Sequence, residues 1–308
     1  MDDMTLMEGS FTNRQKISMF LDLSIRSLNI LRLTLIEPET TIDIRPEMHF
    51  LLVANSGSGK STLLKQIEKL HPAHPKVYTN ITNAGLVGTI TENQAIPGAA
   101  WDSYMRPLLI DEFMISHKTS ALDNINGLLQ ILEHGEYRKK IGMTCFPVKE
   151  EKKGGYYWMV DRGEIAVRTK LNAIIVTMRK LEHARNPATE ALVSRCIPFW
   201  WNISQNEIEE MLKGKMLFDL DMNALKKDKN RVVEIQTDDY LRILNYVITF
   251  GIDKELLARA VCDCCRAYAV FGMHNENVYK IICELKQEFI NKRKDFYHQK
   301  TFNIVGES

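Results

Sequence analysis

Hydrophobic positions along the chain follow two different periods. Short apolar runs bounded by polar or turn residues predict buried strands at residues 48–53, 77–79, 107–112, 171–177 and 197–203. Apolar residues at helical spacing predict helices at residues 63–70, 121–134, 238–250, 253–271 and 276–294, and a helical region at residues 13–36. Because strands and helices alternate up to residue 203, we expect an α/β fold with a parallel sheet and flanking helices, followed by a small helical lid.

The same pattern predicts a division of the chain into four segments. We expect an N-terminal helical extension over residues 1–44, an α/β core over residues 45–212, a polar linker over residues 213–236, and a helical lid with a basic tail over residues 237–308. An insertion at about residues 144–167 interrupts the predicted core.

The composition is that of an ordinary globular protein. The 308 residues carry 40 Lys and Arg against 39 Asp and Glu, so any nucleic-acid surface must be local. The apolar runs are too short to cross a membrane, and the acidic start argues against a signal peptide. We therefore expect an intracellular protein, cytoplasmic or nucleoid-associated. Three of the six cysteines cluster in Cys262-Asp263-Cys264-Cys265, which we interpret as buried thiols, with a zinc site as the alternative.

The loop between the first core strand and the following helix carries the strongest chemical signal. It reads Ala54-Asn55-Ser56-Gly57-Ser58-Gly59-Lys60-Ser61-Thr62. Glycines let successive backbone N–H groups point at a phosphate, and a helix N-terminus adds partial positive charge. We predict that the loop binds ATP, with Lys60 on the β- and γ-phosphates and Ser61 on Mg²⁺. A Gly/Ser-rich turn without a ligand is the alternative.

Two carboxylates, Asp111 and Glu112, end the strand predicted at residues 107–112. A buried strand that ends in two acids downstream of a phosphate loop is the Walker B pattern. Asp111 would hold Mg²⁺, directly or through water, and Glu112 would orient and polarise the attacking water.

Two further residues are candidates because of their position beside predicted strands. Thr177 closes the strand at residues 171–177 and could sense the γ-phosphate or the water, or it could simply cap the strand. Arg195 precedes the next strand and could stabilise transition-state charge in the nucleotide site of a neighbouring subunit. An ordinary ion pair is the alternative for Arg195.

Together these motifs resemble the ATPase core of the minichromosome maintenance (MCM) helicases and, more broadly, AAA+ ATPases with a pre-sensor hairpin. The resemblance spans residues 45–200 and is carried by the segments at 44–53, 83–89, 97–100, 109–113, 167–169 and 192–195. It implies a homo-oligomeric ring, expected to be a hexamer, that binds ATP and Mg²⁺ between subunits. Hydrolysis would then use Glu112 of one subunit and Arg195 of the next.

The departures from the MCM pattern are also specific. Gly59 stands where the family has Ala before the lysine, and Thr177 stands where sensor 1 is usually Asn. Only 44 residues precede Arg45, and Arg259 is the nearest candidate for the sensor-2 arginine. We therefore expect a minimal relative, of a kind found in viruses or mobile elements, rather than a cellular replicative helicase.

The insertion contains a hairpin signal. Gly154 and Gly155 separate two strand-like runs, which predicts a tight turn. In hexameric relatives this hairpin points into the central pore, so the resemblance implies that Lys152 and Lys153 contact nucleic-acid phosphates. A solvated turn is the alternative for these lysines. For the aromatic residues at 156–158 we favour packing on the sheet over base stacking.

The sequence thus favours an ATP-hydrolysing motor that acts on DNA as a helicase or translocase. One alternative is an ATPase that remodels protein partners, as in the related MoxR and chelatase branches. The other is a nucleotide-switched scaffold in which hydrolysis only resets a state.

Overall fold

The computed structural model describes residues 12–79, 81–90, 94–113, 121–140, 149–161, 163–178, 187–201, 204–213 and 230–305. The described strands are β1 (Ile30–Ile36), β2 (Thr41–Ile44), β3 (Phe50–Ala54), β4 (Val77–Thr79), β5 (Gly88–Ile90), β6 (Ala95–Pro97), β7 (Pro107–Asp111), β8 (Glu136–Lys140), β9 (Lys149–Lys153), β10 (Tyr156–Asp161), β11 (Glu164–Arg168), β12 (Asn172–Met178), β13 (Ile197–Trp201) and β14 (Arg231–Ile235). The described helices are α1 (Asn13–Ser27), α2 (Lys60–Leu70), α3 (Asn83–Val87), α4 (Ala99–Asp102), α5 (Ala121–His134), α6 (Pro187–Arg195), α7 (Gln205–Leu212), α8 (Thr237–Phe250), α9 (Leu257–Phe271) and α10 (Glu276–Val305).

A five-stranded sheet forms the centre of the fold. Its strand order is β13-β3-β12-β7-β4, and every neighbouring pair is parallel. Its inner strands are buried on both faces, as their near-continuous apolar runs predict. The sheet and its flanking helices confirm the predicted α/β fold, and each of the five predicted core strands is present. The carboxyl ends of these strands share one edge, where ligands bind in sheets of this kind.

The prediction of one helical region at residues 13–36 is wrong in its second half. Helix α1 stops at Ser27, and residues 30–36 form strand β1, which pairs antiparallel with β2. The alternation of the apolar residues Leu33 and Leu35 with the polar residues Arg32 and Thr34 is the period of a strand rather than of a helix. Arg32 and Thr34 both hydrogen-bond Asp43 across the pair.

The expected linker at residues 213–236 also contains regular structure. Residues 231–235 form strand β14, which pairs parallel with β1, so segments about two hundred positions apart share one sheet. Parallel pairing requires a long crossover rather than a tight turn, so the local pattern gave no signal for it. Most of the remaining linker, residues 214–229, lies outside the described residues.

The described residues between Glu136 and Arg168, where the insertion is predicted at about residues 144–167, form a small sheet of their own. The predicted hairpin of β9 and β10 is confirmed, with Gly154 at positive φ in its turn. It is half of a four-stranded antiparallel sheet in the order β8-β11-β10-β9. Trp158, on strand β10 of this sheet, has a fully buried side chain, and its indole N–H donates to the Val87 carbonyl.

The C-terminal helices pack against the α/β core. Helix α9 begins at Leu257 rather than at 253, and α10 extends beyond the predicted end at 294. Asp263 accepts charge-assisted contacts from Arg266 and Lys286, at 2.6 and 2.8 Å. Arg266 also donates to the Arg45 carbonyl, and Lys286 to the Cys196 carbonyl, so a buried ionic cluster joins these helices to the core.

The cysteines that the structure describes are free thiols. Four of them are buried and Cys262 is half-buried, whereas Cys145 lies outside the described residues. Within the described ranges, no helix is both long enough and apolar enough to span a membrane.

Candidate functional site

The predicted phosphate loop joins β3 to α2 at the carboxyl edge of the central sheet. Gly57 and Gly59 have φ of +77° and +78°, a left-handed conformation that strongly favours glycine. Gly59 is the N-cap of α2 and makes no side-chain cap hydrogen bond, so the first N–H groups of the helix face the loop uncapped by a side chain. Asn55, Ser56, Ser61 and Thr62 are exposed around this end. The backbone therefore has the geometry of an anion-binding helix terminus.

Lys60 lies inside this loop. Its ammonium donates to the carbonyls of Ala54 at 3.0 Å and Asn55 at 2.5 Å, and Ser58 Oγ lies 3.5 Å away. The side chain is only 7% exposed, and burial lowers the pKa of Lys60 although the charges of Asp111 and Glu112 act to raise it. Because β3 and β7 both run parallel to β12, the loop that follows β3 and the acids that end β7 lie at the same edge of the sheet.

The turn after β7 places Glu112 in an unusual conformation. Its φ is +49°, in the left-handed region that costs a non-glycine residue energy. The Glu112 N–H donates to Asp111 Oδ1 at 2.9 Å, and the Phe113 N–H donates to the Val176 carbonyl at 3.0 Å. Because Phe113 is buried, it anchors the turn and leaves the Glu112 side chain exposed at the sheet edge.

Thr177 lies between the two motifs because β12 runs between β3 and β7. It is in register with Val53, and its hydroxyl donates to the Phe113 carbonyl at 2.6 Å. This contact joins β12 to the turn that carries the two acids, as the capping alternative would have it, and the sensing role stays a prediction. With its proton committed to Phe113, the hydroxyl can accept a hydrogen bond from water but cannot also donate one to a phosphate.

Arg195 is not brought to this edge. It ends α6 just before β13, and β13 pairs with β3 from Ile197 opposite Phe50 to Trp201 opposite Ala54. Those four steps separate the two edges of the sheet by about 13 Å. Arg195 therefore lies at the edge of the sheet where the strands begin, opposite the edge that carries the phosphate loop of its own chain.

At that far side Arg195 forms an intrachain ion pair, the alternative that the sequence left open. Its Nε lies 2.8 Å from Glu133 Oε2, and Arg259 donates to the same oxygen at 2.6 Å. Burial raises the pKa of Glu133, but the hydrogen bond and charge of Arg259 and the charge of Arg195 outweigh it, and the net shift is downward. Sequence reasoning missed Glu133, because one carboxylate near a helix end has no distinguishing pattern.

The two lysines of the hairpin already have partners within the chain. Lys152 pairs with Glu150 at 2.9 Å, and Lys153 lies over the rings of Trp101 and Tyr104 at 5.2 and 5.7 Å. The Gly154 turn lies at the end of the small sheet where β11 leads into β12, next to the core rather than at the far end.

The packing that the sequence favours for the hairpin aromatics is seen for Tyr156 and Trp158, whereas Tyr157 makes polar contacts. Tyr156 packs on Tyr104 with ring centroids 5.1 Å apart. Tyr157 donates to Glu136 and accepts from Arg138, and the Trp158 ring is buried.

Comparison with known proteins gives a partial relationship. No known family model matches the chain. An uncharacterized MCM-type protein of Methanocaldococcus jannaschii is 36% identical over 70 residues. The match covers 22% of this chain and 9% of that protein, so the chain spans less than a tenth of the length of this relative. The similarity hints at an MCM-like relationship over that segment.

Proposed function

We propose that this chain is a P-loop ATPase of the AAA+ class, related to the MCM helicases. The observation that carries the proposal is the convergence, at the carboxyl edge of one parallel sheet, of an uncapped helix N-terminus, a buried lysine and two carboxylates. The partial match to an MCM-type protein supports the same assignment.

The residues at the edge have distinct roles in this proposal. The backbone N–H groups of the loop and Lys60 cradle the β- and γ-phosphates. Ser61 and Asp111 are the Mg²⁺ ligands, a donor set that fits a cation which usually binds through one or two carboxylates and the substrate phosphates. When bound, Mg²⁺ neutralises charge that develops on the phosphates. Glu112, exposed at the mouth of the loop, orients the water and accepts its proton.

A complete site requires a second copy of the chain. Arg195 lies at the opposite edge of the sheet, and the two edges are about 13 Å apart, a span that its side chain does not bridge. In a ring, the same residue faces a neighbour, where it can stabilise transition-state charge on the neighbour's nucleotide. We therefore propose a homo-oligomer in which Glu112 and Arg195 of adjacent subunits act on one ATP.

The preferred work of this ATPase is movement on DNA, as a helicase or translocase. This part of the proposal rests on the MCM-like resemblance of residues 45–200 and on the hairpin in its sheet. A second candidate, ATP-driven remodelling of a protein, is favoured by one observation. Both lysines of the hairpin have partners within the chain, Glu150 and aromatic rings, with which a phosphate would have to compete.

The rate of ATP hydrolysis with and without single-stranded DNA separates these possibilities. Stimulation by DNA of several sequences supports the motor on nucleic acid. A rate that DNA leaves unchanged but a protein partner raises would favour the remodelling enzyme. Slow turnover with stable ATP-dependent assembly, measured by mass, would favour a nucleotide-switched scaffold instead.

A further inference from the structure

One carboxylate oxygen, Glu133 Oε2, holds two arginines from different parts of the fold. Glu133 lies near the end of α5, the helix that follows the Asp111–Glu112 turn. Arg195 reaches it from α6 and Arg259 from α9, at 2.8 and 2.6 Å. All three side chains are partly exposed, at 24%, 22% and 33%, so the cluster lies at the surface of the fold and carries one net positive charge.

Arg195 is held incompletely in this cluster. Its Nη1 donates to the Ala191 carbonyl at 2.7 Å. Its Nε is buried and close to Glu133, yet within the described part of the chain it has no acceptor with hydrogen-bond alignment. A buried N–H without an aligned acceptor costs free energy. The guanidinium is thus oriented at Nε mainly by the charge of Glu133.

Arg259 fixes the position of the shared oxygen through a short, aligned hydrogen bond. Helix α9, which carries Arg259, is itself fixed to the core because Arg266 donates to the Arg45 carbonyl. The location of Glu133 Oε2, and with it that of Arg195, is therefore tied to the C-terminal helices.

We propose that Glu133 is a positioning residue for Arg195, and that it relays the placement of the C-terminal helices to the arginine that acts on a neighbour's nucleotide. The inference rests on the proposed function, because it assigns Glu133 to the arginine-donating half of the composite site. Without its charge, two guanidiniums are left close together with no shared anion, and they repel each other. Arg195 then loses the orientation that it needs at the subunit boundary.

The test uses mixed assemblies, in which each defect can be assigned to one half of the site. Lys60→Ala removes the phosphate cradle but leaves Arg195 intact, whereas Arg195→Ala does the reverse. Mixing these two variants creates some boundaries at which an intact Lys60 meets an intact Arg195, so hydrolysis returns.

Glu133→Gln should behave as a donor-side defect. We expect kcat to fall about 10- to 100-fold, as expected for a misplaced catalytic group, while the affinity for ATP is unchanged because the cradle is intact. Glu133→Gln should regain hydrolysis when mixed with Lys60→Ala and should gain nothing when mixed with Arg195→Ala. A residue that only stabilises the fold gives no such preference for one half.

Glu136→Gln is the matched control. Glu136 is also a partly exposed carboxylate, it pairs with Arg138 at 2.8 Å, and it lies three positions from Glu133 outside the cluster. Glu136→Gln should have the kcat of the wild type. Its mixtures with Lys60→Ala and with Arg195→Ala should hydrolyse ATP at the same rates as the corresponding mixtures made with wild-type protein. If Glu133→Gln fails to fold, Arg259→Gln, which removes the hydrogen bond that fixes the carboxylate, should show the same donor-side pattern in a weaker form.

The outcomes separate this inference from the proposed function. Wild-type turnover of Glu133→Gln, or its rescue by Arg195→Ala, would overturn the positioning role while Lys60→Ala and Arg195→Ala still complement each other. Absence of that complementation in assembled protein would instead overturn the shared site itself, and with it the premise of this inference.

Discussion

Because Glu112 has a left-handed backbone conformation, replacing it with glycine should stabilise the fold while abolishing ATP hydrolysis. A residue with a side chain at φ +49° is strained by about 1–2 kcal/mol relative to a relaxed backbone. Replacing Glu112 with Gly removes this strain. The greater flexibility of Gly in the unfolded chain destabilises the folded state by about 0.5–1 kcal/mol and so offsets part of the gain. Because the Glu112 side chain is exposed, its removal costs little packing. The net expectation is a stabilisation of about 0.5–1 kcal/mol.

The matched comparison is Glu112→Gln, which also removes the carboxylate but keeps the strained backbone. Both variants should lose hydrolysis, because neither can accept the proton of the water. In thermal unfolding without nucleotide, Glu112→Gly should melt about 1–1.5 °C above Glu112→Gln. If the two melt together, or if the Gly variant melts first, the turn is not strained and the stored-strain argument fails.

Three further predictions address the hairpin, the hydroxyl at the sheet edge and a buried imidazole. If the hairpin contacts DNA, replacing Lys152 and Lys153 with Ala should weaken DNA binding and leave basal ATP hydrolysis intact. For single strands, the slope of log K against the logarithm of the salt concentration should become shallower by about 1.4. An unchanged slope would favour the protein-remodelling alternative. Thr177→Val should lower kcat with ATP affinity retained, since it releases the turn that carries the acid, and Thr177→Ser should restore turnover; equal rates for Val and wild type would remove this role. Burial, followed by nearby positive charge, lowers the pKa of His49 to about 3, and its Nδ1 must stay unprotonated to accept from the Ala173 N–H. Below about pH 6.5 the unfolded state therefore binds one proton more, so stability should fall towards pH 3 by up to about 1.4 kcal/mol per pH unit, and His49→Gln should show a shallower slope in acid unfolding.

The central sheet could be predicted because its strands are buried on both faces. A run such as Leu108-Leu109-Ile110 leaves a helix no polar face, and the turn residues on either side fix the length of the strand. The phosphate loop could be predicted because backbone chemistry demands glycine at Gly57 and Gly59, where φ is positive. Local rules decide both features.

The parts that sequence reasoning missed depend on distant partners. Strand β14 forms by parallel pairing with β1, and no pattern within residues 231–235 predicts that pairing. The role of Lys153 is set by Trp101 and Tyr104, which lie some fifty positions earlier in the chain. Glu133 gains its significance only when α6 and α9 bring two arginines to it.

The central claim is that the loop at residues 54–62 and the acids at 111–112 form one ATP-hydrolysing site. The most direct test is the steady-state rate of ATP hydrolysis with Mg²⁺, measured together with ATP binding, for the wild type, Lys60→Ala and Glu112→Gln. We expect turnover by the wild type, loss of binding in Lys60→Ala, and retained binding with a loss of rate of about 10²–10⁴-fold in Glu112→Gln. Hydrolysis at the wild-type rate in Glu112→Gln, or normal ATP binding in Lys60→Ala, would contradict the claim.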